Sequence, residues 1–189
     1  MAGVVCASAV IFKPNYLGKK LKDSKKLTHA QRVALCIEIK ENSYYAIATS
    51  SVEEIDELNI LQATFVAMNR AVHDLESQLK KLKPKPFDLN EVLFVIDGRD
   101  HVPNFGKRQQ QSIIQGDQLV KQISAASILA KVYRDQQMIE LDLTYPQYGF
   151  CKHKGYGTKT HVEALQNFGA TALHRKSFAP VRQVIEAAL

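Results

Sequence analysis

Two acidic residues stand at positions where a cation site could form. Asp97 follows the apolar run 92–96, and Asp117 follows Gly116 at the start of a predicted helix. Each acid also has a simpler structural interpretation. Asp97 is typical of the first residue of an Asp-Gly turn, and Asp117 is typical of a helix N-cap. If they converge, their carboxylates offer the oxygen ligands that Mg²⁺ prefers, and such a cation activates water for phosphodiester hydrolysis. Two carboxylates under-supply a two-metal site, so we expect one metal ion or weak binding.

A short basic loop precedes the first predicted helix. It carries Ser24, Lys25 and Lys26. Their hydroxyl and ammonium groups, together with backbone N–H groups at a helix start, can hold a phosphate. A solvated basic turn explains the same residues, and the local sequence alone favours that simpler interpretation.

The segment 150–161 combines lysines, glycines and an aromatic ring. Tyr156 lies between two glycines, and three lysines, among them Lys154, surround it. An exposed ring among cations can stack on a sugar or base beside a phosphate backbone. We therefore predict that Tyr156 and Lys154 bind substrate, with a structural tyrosine in a glycine turn as the alternative.

Three histidines and one further acidic residue are predicted to take no part in catalysis or metal binding. His153, His161 and His174 lack the spacing of zinc ligands with Cys or acidic partners, and we interpret them as surface or phosphate-adjacent residues. Asp135 lies in a predicted helix beside Arg134, where a solvated or ion-paired acid is expected.

The composition is typical of an ordinary globular protein. The 189 residues are 46% hydrophobic and 23% charged, and no apolar run is long enough to cross a bilayer. Residues 1–12 lack an export signal, so we expect a cytoplasmic location. Three scattered cysteines favour reduced thiols over disulfides. The net charge of +6 at pH 7 favours an anionic partner, although this signal is weak when taken alone.

Apolar runs that predict strands alternate with patterns that predict helices. Strands are expected at 4–12, 44–50 and 91–97, and capping-box spacings predict helix starts after Thr28 and Ser51. Further helical patterns cover 52–82, with a break near Asn59, and Gln118 to about Leu143. This alternation predicts one α/β domain at 1–189, with a sheet-and-helix core at 1–144 and a helical lobe at 145–189.

Ordered blocks of this sequence resemble the bacterial ribonuclease HII family over essentially the whole chain. The blocks are DSKKLT at 23–28, SSVEEIDELNILQAT at 50–64, FVIDGR at 94–99, IIQGD at 113–117, SAASILAKVYRD at 124–135, YPQYGFCKHKGYGTKTH at 145–161 and HRKSFAPV at 174–181. So many long blocks in the family's order make the resemblance specific.

The resemblance implies a ribonuclease H-like fold, with a central mixed sheet flanked by helices, and an endonuclease that uses Mg²⁺ or Mn²⁺. The implied substrates are RNA–DNA hybrids and duplex DNA that contains ribonucleotides, cut on the 5′ side of the ribonucleotide to leave a 5′-phosphate and a 3′-hydroxyl. Such an enzyme removes ribonucleotides during DNA replication and repair, and we expect a monomer.

The resemblance also implies roles for individual residues. Asp97 and Asp117 look like the third and fourth catalytic carboxylates and metal ligands. Tyr156 looks like the residue that packs on the sugar at the RNA–DNA junction, where the 2′-hydroxyl distinguishes ribose from deoxyribose. Ser24 and Lys25 look like phosphate contacts.

The sequence departs from the family pattern in two places. Gln115 stands where the family commonly has Lys, which removes one cation. The family also carries a DEAGRGP-like segment before the stretch matched here by 1–10. That segment holds the first two catalytic carboxylates and forms an interior strand of the sheet. We therefore expect that strand and those two carboxylates to be missing here, and the activity of this chain to suffer.

Three classes of function stay open. The leading hypothesis is a hybrid endonuclease. The second is a catalytically inactive, truncated nucleic-acid-binding remnant that keeps the basic loops around Lys25 and Tyr156, and its affinity for hybrids should weaken steeply with salt. The third is a structural or partner-binding protein, in which Tyr156→Ala and Asp97→Asn would change neither binding nor activity.

Overall fold

The computed structural model describes residues 1–19, 21, 27–82 and 91–188. Its helices and strands are, in chain order, β1 Val5–Phe12, α1 His29–Asn42, β2 Ser43–Ser50, α2 Val52–Leu58, α3 Ile60–Lys80, β3 Phe94–Asp97, β4 Gln110–Ile113, α4 Gly116–Leu119, α5 Lys121–Thr144, α6 Phe150–His153, α7 Lys159–Phe168 and α8 Ala179–Glu186. The predicted α/β class and the strands at 4–12 and 44–50 are confirmed.

Side chains cap the first helices as the sequence predicts. The Thr28 hydroxyl accepts a hydrogen bond from Gln31 N, and the Gln31 side chain accepts one from Thr28 N. Ser51 and Glu54 form the same reciprocal pair at the start of α2. Each pair satisfies two N–H groups that a helix start leaves without partners. Asn59, with a φ of 72°, makes the predicted break before α3.

The helix predicted from Gln118 onward is interrupted. Val120 has an extended backbone, with a φ of −118° and a ψ of 121°. The single turn α4 ends before it, and α5 begins after it at Lys121. The acidic residue Asp117 therefore belongs to a short helix of its own.

The described strands form two separate two-stranded sheets. β1 pairs with β2, and Lys13 N donates to Asn42 O at 3.0 Å, which places the end of β1 beside the start of β2. β3 pairs with β4 in parallel register, with Asp97 opposite Ile113. The structure thus differs from the predicted single central sheet, because no strand of the described residues links the two ladders by hydrogen bonds.

The chain divides into two compact units. The first unit comprises Met1–Cys6, Thr49–Thr64 and Tyr133–Leu189, and the second comprises Ala7–Ala48 and Phe65–Val132. These boundaries differ from the predicted core at 1–144 and lobe at 145–189. That the whole chain acts as one domain stays a prediction.

Each unit has its own apolar cores. In the first unit, the buried residues form two clusters: Ala2, Met138, Tyr148, Phe150 and Ala164; and Met1, Leu165 and Val181. The second unit has three: Leu21, Leu35, Cys36, Ile39, Ala125, Ile128 and Leu129; Ala46, Leu75 and Leu79; and Phe65, Val72, Val102 and Phe105. No helix in the described ranges is both long and apolar enough to cross a membrane.

Candidate active site

A backbone contact in the second unit joins Asp97 to the residue that precedes Asp117. Asp97 is the last residue of β3, and its Oδ1 accepts a 2.9 Å hydrogen bond from Gly116 N. Asp117 is the next residue of α4 and is 3% exposed, whereas Asp97 is exposed. The carboxylate of one acid therefore contacts the residue that precedes the other.

The backbone around Gly116 is shaped for this contact. A Cβ added at Gly116 would lie 3.3 Å from Asp97 Oδ1 and 2.5 Å from Ile123 Cδ1, so a larger residue would press on both side chains. Gln115 takes the left-handed conformation, with a φ of 56°, and is the N-cap of α4. The interpretation of Asp117 as an N-cap is therefore wrong, because Asp117 is the second residue of α4.

Tyr156 lies in a turn of the first unit between α6 and α7. Tyr156 is 53% exposed, and the Arg134 guanidinium lies over its ring at 5.1 Å from the ring centroid. The turn depends on Gly155, whose φ is 74° and where an added Cβ would lie 2.7 Å from Ala2 O. Glycine at 155 thus allows the close approach of two backbone segments.

The lysines of this segment differ in their surroundings. The Lys154 ammonium donates to the carbonyl oxygen of Cys151, and Lys154 is partly buried. A substrate contact by Lys154 would require that bond to break, and its role stays a prediction. Lys152 and Lys159 are exposed. The predicted phosphate contacts Ser24, Lys25 and Lys26 lie outside the described residues.

The three histidines are buried, so their interpretation as surface residues is wrong. His161 and His174 have no exposed surface, and His153 is 8% exposed. Their rings form a cluster: His153 stacks on His161 at 4.3 Å between centroids, and Nε2 of His161 lies 3.2 Å from Nε2 of His174. Asp135, expected to be solvated or ion-paired, is 2% exposed.

A helical pattern in the sequence could have revealed one of these histidines. His161, Ala164 and Leu165 have the spacing of one face of α7, and all three are buried. A histidine that continues an apolar face is more often a hydrogen-bonded core residue than a surface one. His153 and His174 carry no comparable signal, because they stand in short or irregular segments.

Burial keeps the histidine pair neutral. Loss of solvent lowers the pKa of His161 and of His174 from 6.5 to about 4. The Met1 amine lowers the pKa of both histidines further by charge repulsion, and its own pKa falls from 8.0 to about 5 because it is buried.

Lowering the pH below about 6.5 is expected to destabilise the protein. The unfolded histidines take up protons near pH 6.5, while His161 and His174 in the folded chain resist protonation until about pH 4. Because the unfolded state then binds more protons, the free energy of unfolding falls as the pH falls, by up to about 1.4 kcal/mol per pH unit for each histidine. Urea unfolding across this pH range measures the slope.

Two variants separate these histidines from other groups that titrate. The buried Met1 amine also makes the free energy of unfolding fall as the pH falls, but it does so between pH 8.0 and about 5. His161→Asn should flatten the slope below pH 6.5, whereas His73→Gln, at a side chain that is 76% exposed, should leave it unchanged. Equal slopes in wild type and His161→Asn would contradict the prediction.

The described residues offer oxygen ligands for a cation but few of them. No group of three or more His, Cys, Asp or Glu is placed to hold a metal ion in the described part of the chain. Asp97 and Asp117 have the right donor chemistry for one Mg²⁺, which commonly takes one or two carboxylates and completes its shell with water and phosphate. They do not suffice for a two-metal site.

Solved structures define the class of protein. The structure resembles the ribonuclease H2 of Pyrococcus horikoshii with a TM-score of 0.69 at 22% identity, covering 98% of this chain and 93% of that one. It also resembles Bst-RNase HIII in complex with Mn²⁺, with a TM-score of 0.71 at 13% identity, covering 99% of this chain and 66% of that one. The fold is therefore ribonuclease H-like.

The family follows from sequence similarity. The model of the ribonuclease HII family matches residues 1–181. The ribonuclease HII of Vibrio parahaemolyticus is 48% identical over 186 residues, which are 98% of this chain and 82% of that protein. The chain belongs to the ribonuclease HII family, and the resemblance inferred from the sequence blocks is confirmed.

Proposed function

We propose that this chain hydrolyses the RNA strand of RNA–DNA hybrids and cuts duplex DNA at embedded ribonucleotides. The cut falls on the 5′ side of the ribonucleotide and leaves a 5′-phosphate and a 3′-hydroxyl. Membership of the ribonuclease HII family supports ribonuclease H activity. The observation that carries the proposal is the hydrogen bond from Gly116 N to Asp97 Oδ1, which joins the end of β3 to the residue before Asp117.

In this proposal Asp97 and Asp117 hold one Mg²⁺ or Mn²⁺. The bound cation supplies activation of water and neutralisation of charge on the phosphate. The Mn²⁺ complex of Bst-RNase HIII supports a divalent metal. The two carboxylates balance the ion's charge, and the Gly116 N–H orients one of them by its bond to Asp97 Oδ1.

Tyr156 binds the substrate sugar in this proposal. Tyr156 is half exposed in a turn that Gly155 allows, and the exposed Lys152 and Lys159 lie in the same segment. An aromatic face can stack on a ribose or base, while nearby ammonium groups attract the phosphates. Ser24, Lys25 and Lys26 are proposed to contribute further phosphate contacts, on the strength of the sequence blocks alone.

Cleavage of duplex DNA that contains one ribonucleotide tests the proposed function. The chain is incubated with Mg²⁺ or Mn²⁺, and the labelled products are resolved by size and by the chemistry of their ends. We expect a single cut on the 5′ side of the ribonucleotide, with a 3′-hydroxyl left on the DNA. Cleavage of an all-deoxy duplex at the same rate would contradict the assigned substrate.

A catalytically inactive nucleic-acid binder is the second candidate. The observation that favours it is the small number of acids: the described residues hold no cluster of three metal-binding side chains. If the chain does not cut but binds hybrids with an affinity that falls steeply as salt rises, this candidate replaces the first. Absence of both cleavage and salt-dependent binding would overturn both.

The proposed substrate also suggests where the protein acts and in which oligomeric state. We infer a monomer that acts in the cytoplasm on RNA–DNA hybrids and ribonucleotide-containing DNA during replication and repair. The net charge of +6 supports a nucleic-acid partner, because clustered cations release counterions from the phosphate backbone on binding.

A further inference from the structure

Arg134 of α5 is fixed by three backbone carbonyls in the first unit. Its Nη1 donates to Lys154 O at 2.9 Å, its Nε to Val4 O at 3.2 Å and its Nη2 to Ala2 O at 3.3 Å. Three directional bonds to one planar group set the plane of the guanidinium. The guanidinium carbon lies 5.1 Å from the centroid of the Tyr156 ring, so an immobilised cation attracts that ring.

The backbone of Tyr156 is fixed as well. Its N–H donates to His153 O at 2.9 Å, and its carbonyl oxygen accepts bonds from His161 Nδ1 at 2.9 Å and from Thr158 N at 2.8 Å. Tyr156 as a whole nevertheless stays 53% exposed. The direction of an exposed aromatic ring is therefore set by contacts to its backbone and to its face.

The bond from His161 to Tyr156 is supported by a second histidine. Because neutral His161 donates at Nδ1, its Nε2 must accept the hydrogen bond from His174 Nε2 at 3.2 Å. His174 then accepts at Nδ1 from Thr171 N at 3.1 Å. These donor and acceptor assignments follow from the hydrogen-bond network, and they require both rings to be neutral.

We propose that Arg134, His161 and His174 are positioning residues that hold Tyr156 ready to stack on the sugar of a ribonucleotide. The proposal rests on the substrate role of Tyr156 proposed above and adds that discrimination for ribose depends on groups that do not touch the substrate. A ring that is ordered before binding loses less conformational freedom on binding, and this strengthens the complex. A merely structural role would instead lower stability and leave discrimination unchanged.

A double-mutant cycle tests the role of Arg134. Arg134→Lys keeps the positive charge but loses the planar group that the three carbonyls hold. The affinities for a duplex with ribonucleotides and for an all-deoxy duplex are measured by fluorescence anisotropy without divalent cations. We expect Arg134→Lys to lower the ratio of the two affinities by about fivefold in the wild type and to have no effect in Tyr156→Ala. Arg182→Lys, at an exposed residue of α8, is the matched control.

Variants of His161 test the bond to the Tyr156 backbone. His161→Asn retains a donor near the position of Nδ1, whereas His161→Leu removes the donor and keeps an apolar side chain. We expect His161→Asn to keep more of the affinity ratio than His161→Leu, compared at a temperature where both are folded by circular dichroism. This pair keeps the proposal open to refutation even if Arg134→Lys does not fold.

The outcomes separate this proposal from the proposed function. If Tyr156→Ala leaves the affinity ratio unchanged, the substrate role of Tyr156 fails, and the positioning proposal fails with it. If Tyr156→Ala lowers the ratio but Arg134→Lys and His161→Leu do not, only the positioning proposal is overturned. Because binding is measured without metal, a lack of cleavage affects neither conclusion.

Discussion

Asp97→Asn is expected to lower kcat/KM for a ribonucleotide-containing duplex by at least about a hundredfold. The loss follows because a cation supplies several kcal/mol of charge stabilisation in the transition state, and about 1.4 kcal/mol changes a rate tenfold. The amide oxygen of Asn can still accept the hydrogen bond from Gly116 N, so the fold of the site is retained while the negative charge is removed. Initial rates at saturating and limiting substrate measure the effect.

The control for this variant is an acid of the same unit that has no proposed role. Asp74→Asn removes one charge from α3, where the side chain is 55% exposed, and should leave kcat/KM unchanged. Circular dichroism confirms that both variants fold. If Asp97→Asn cleaves within about threefold of the wild type, a cation held by Asp97 is not part of the reaction.

Phe150→Ala is expected to lower the free energy of unfolding by about 3–5 kcal/mol. Phe150 has no exposed surface, stacks on Tyr148 with 5.4 Å between ring centroids, and meets His161 edge-on at 5.4 Å. Removing the ring leaves a cavity beside both residues, and the buried surroundings cannot collapse fully to fill it. Urea unfolding measures the loss.

An exposed ring of the same unit provides the comparison. Phe168 lies at the end of α7 and is 57% exposed, so Phe168→Ala should cost less than about 1 kcal/mol. If the two variants lose the same stability, Phe150 is not a central residue of this core. Loss of stability should extend to the histidine cluster, because His161 packs on the Phe150 ring.

Local signals made much of the fold predictable. The apolar run of β1 and the capping boxes at Thr28 and Ser51 act over a few residues, and the structure has each of them. The break at Asn59 was predictable for the same reason, because asparagine tolerates a positive φ better than most residues. Such features depend on residues that are close in sequence, so they can be predicted from one sequence.

Other elements depend on contacts with distant segments. β4 has the sequence QQSI, which lacks an apolar or alternating pattern, and it is a strand because β3 lies beside it in register. The break at Val120 places a β-branched residue in an extended conformation between two helices. The separation into two ladders is likewise a property of strand pairing, which the sequence pattern alone does not specify.

The sequence indicated the candidate residues but not the contacts that they make. The ribonuclease HII blocks indicated Asp97, Asp117 and Tyr156. That Asp97 bonds to Gly116 N, with Asp117 next in the chain, depends on a turn through the left-handed residue Gln115. The contacts of Arg134 to three carbonyls join segments far apart in sequence, so no local pattern could have indicated them.

Binding of Mn²⁺ tests most directly whether Asp97 and Asp117 form one cation site. Electron paramagnetic resonance follows the free ion as the protein is titrated with it. We expect one Mn²⁺ per chain, and Asp97→Asn, Asp117→Asn and the double variant should each lose at least about tenfold in affinity, with the double variant little worse than either single one. Unchanged binding in Asp97→Asn or Asp117→Asn would show that the two carboxylates do not share an ion.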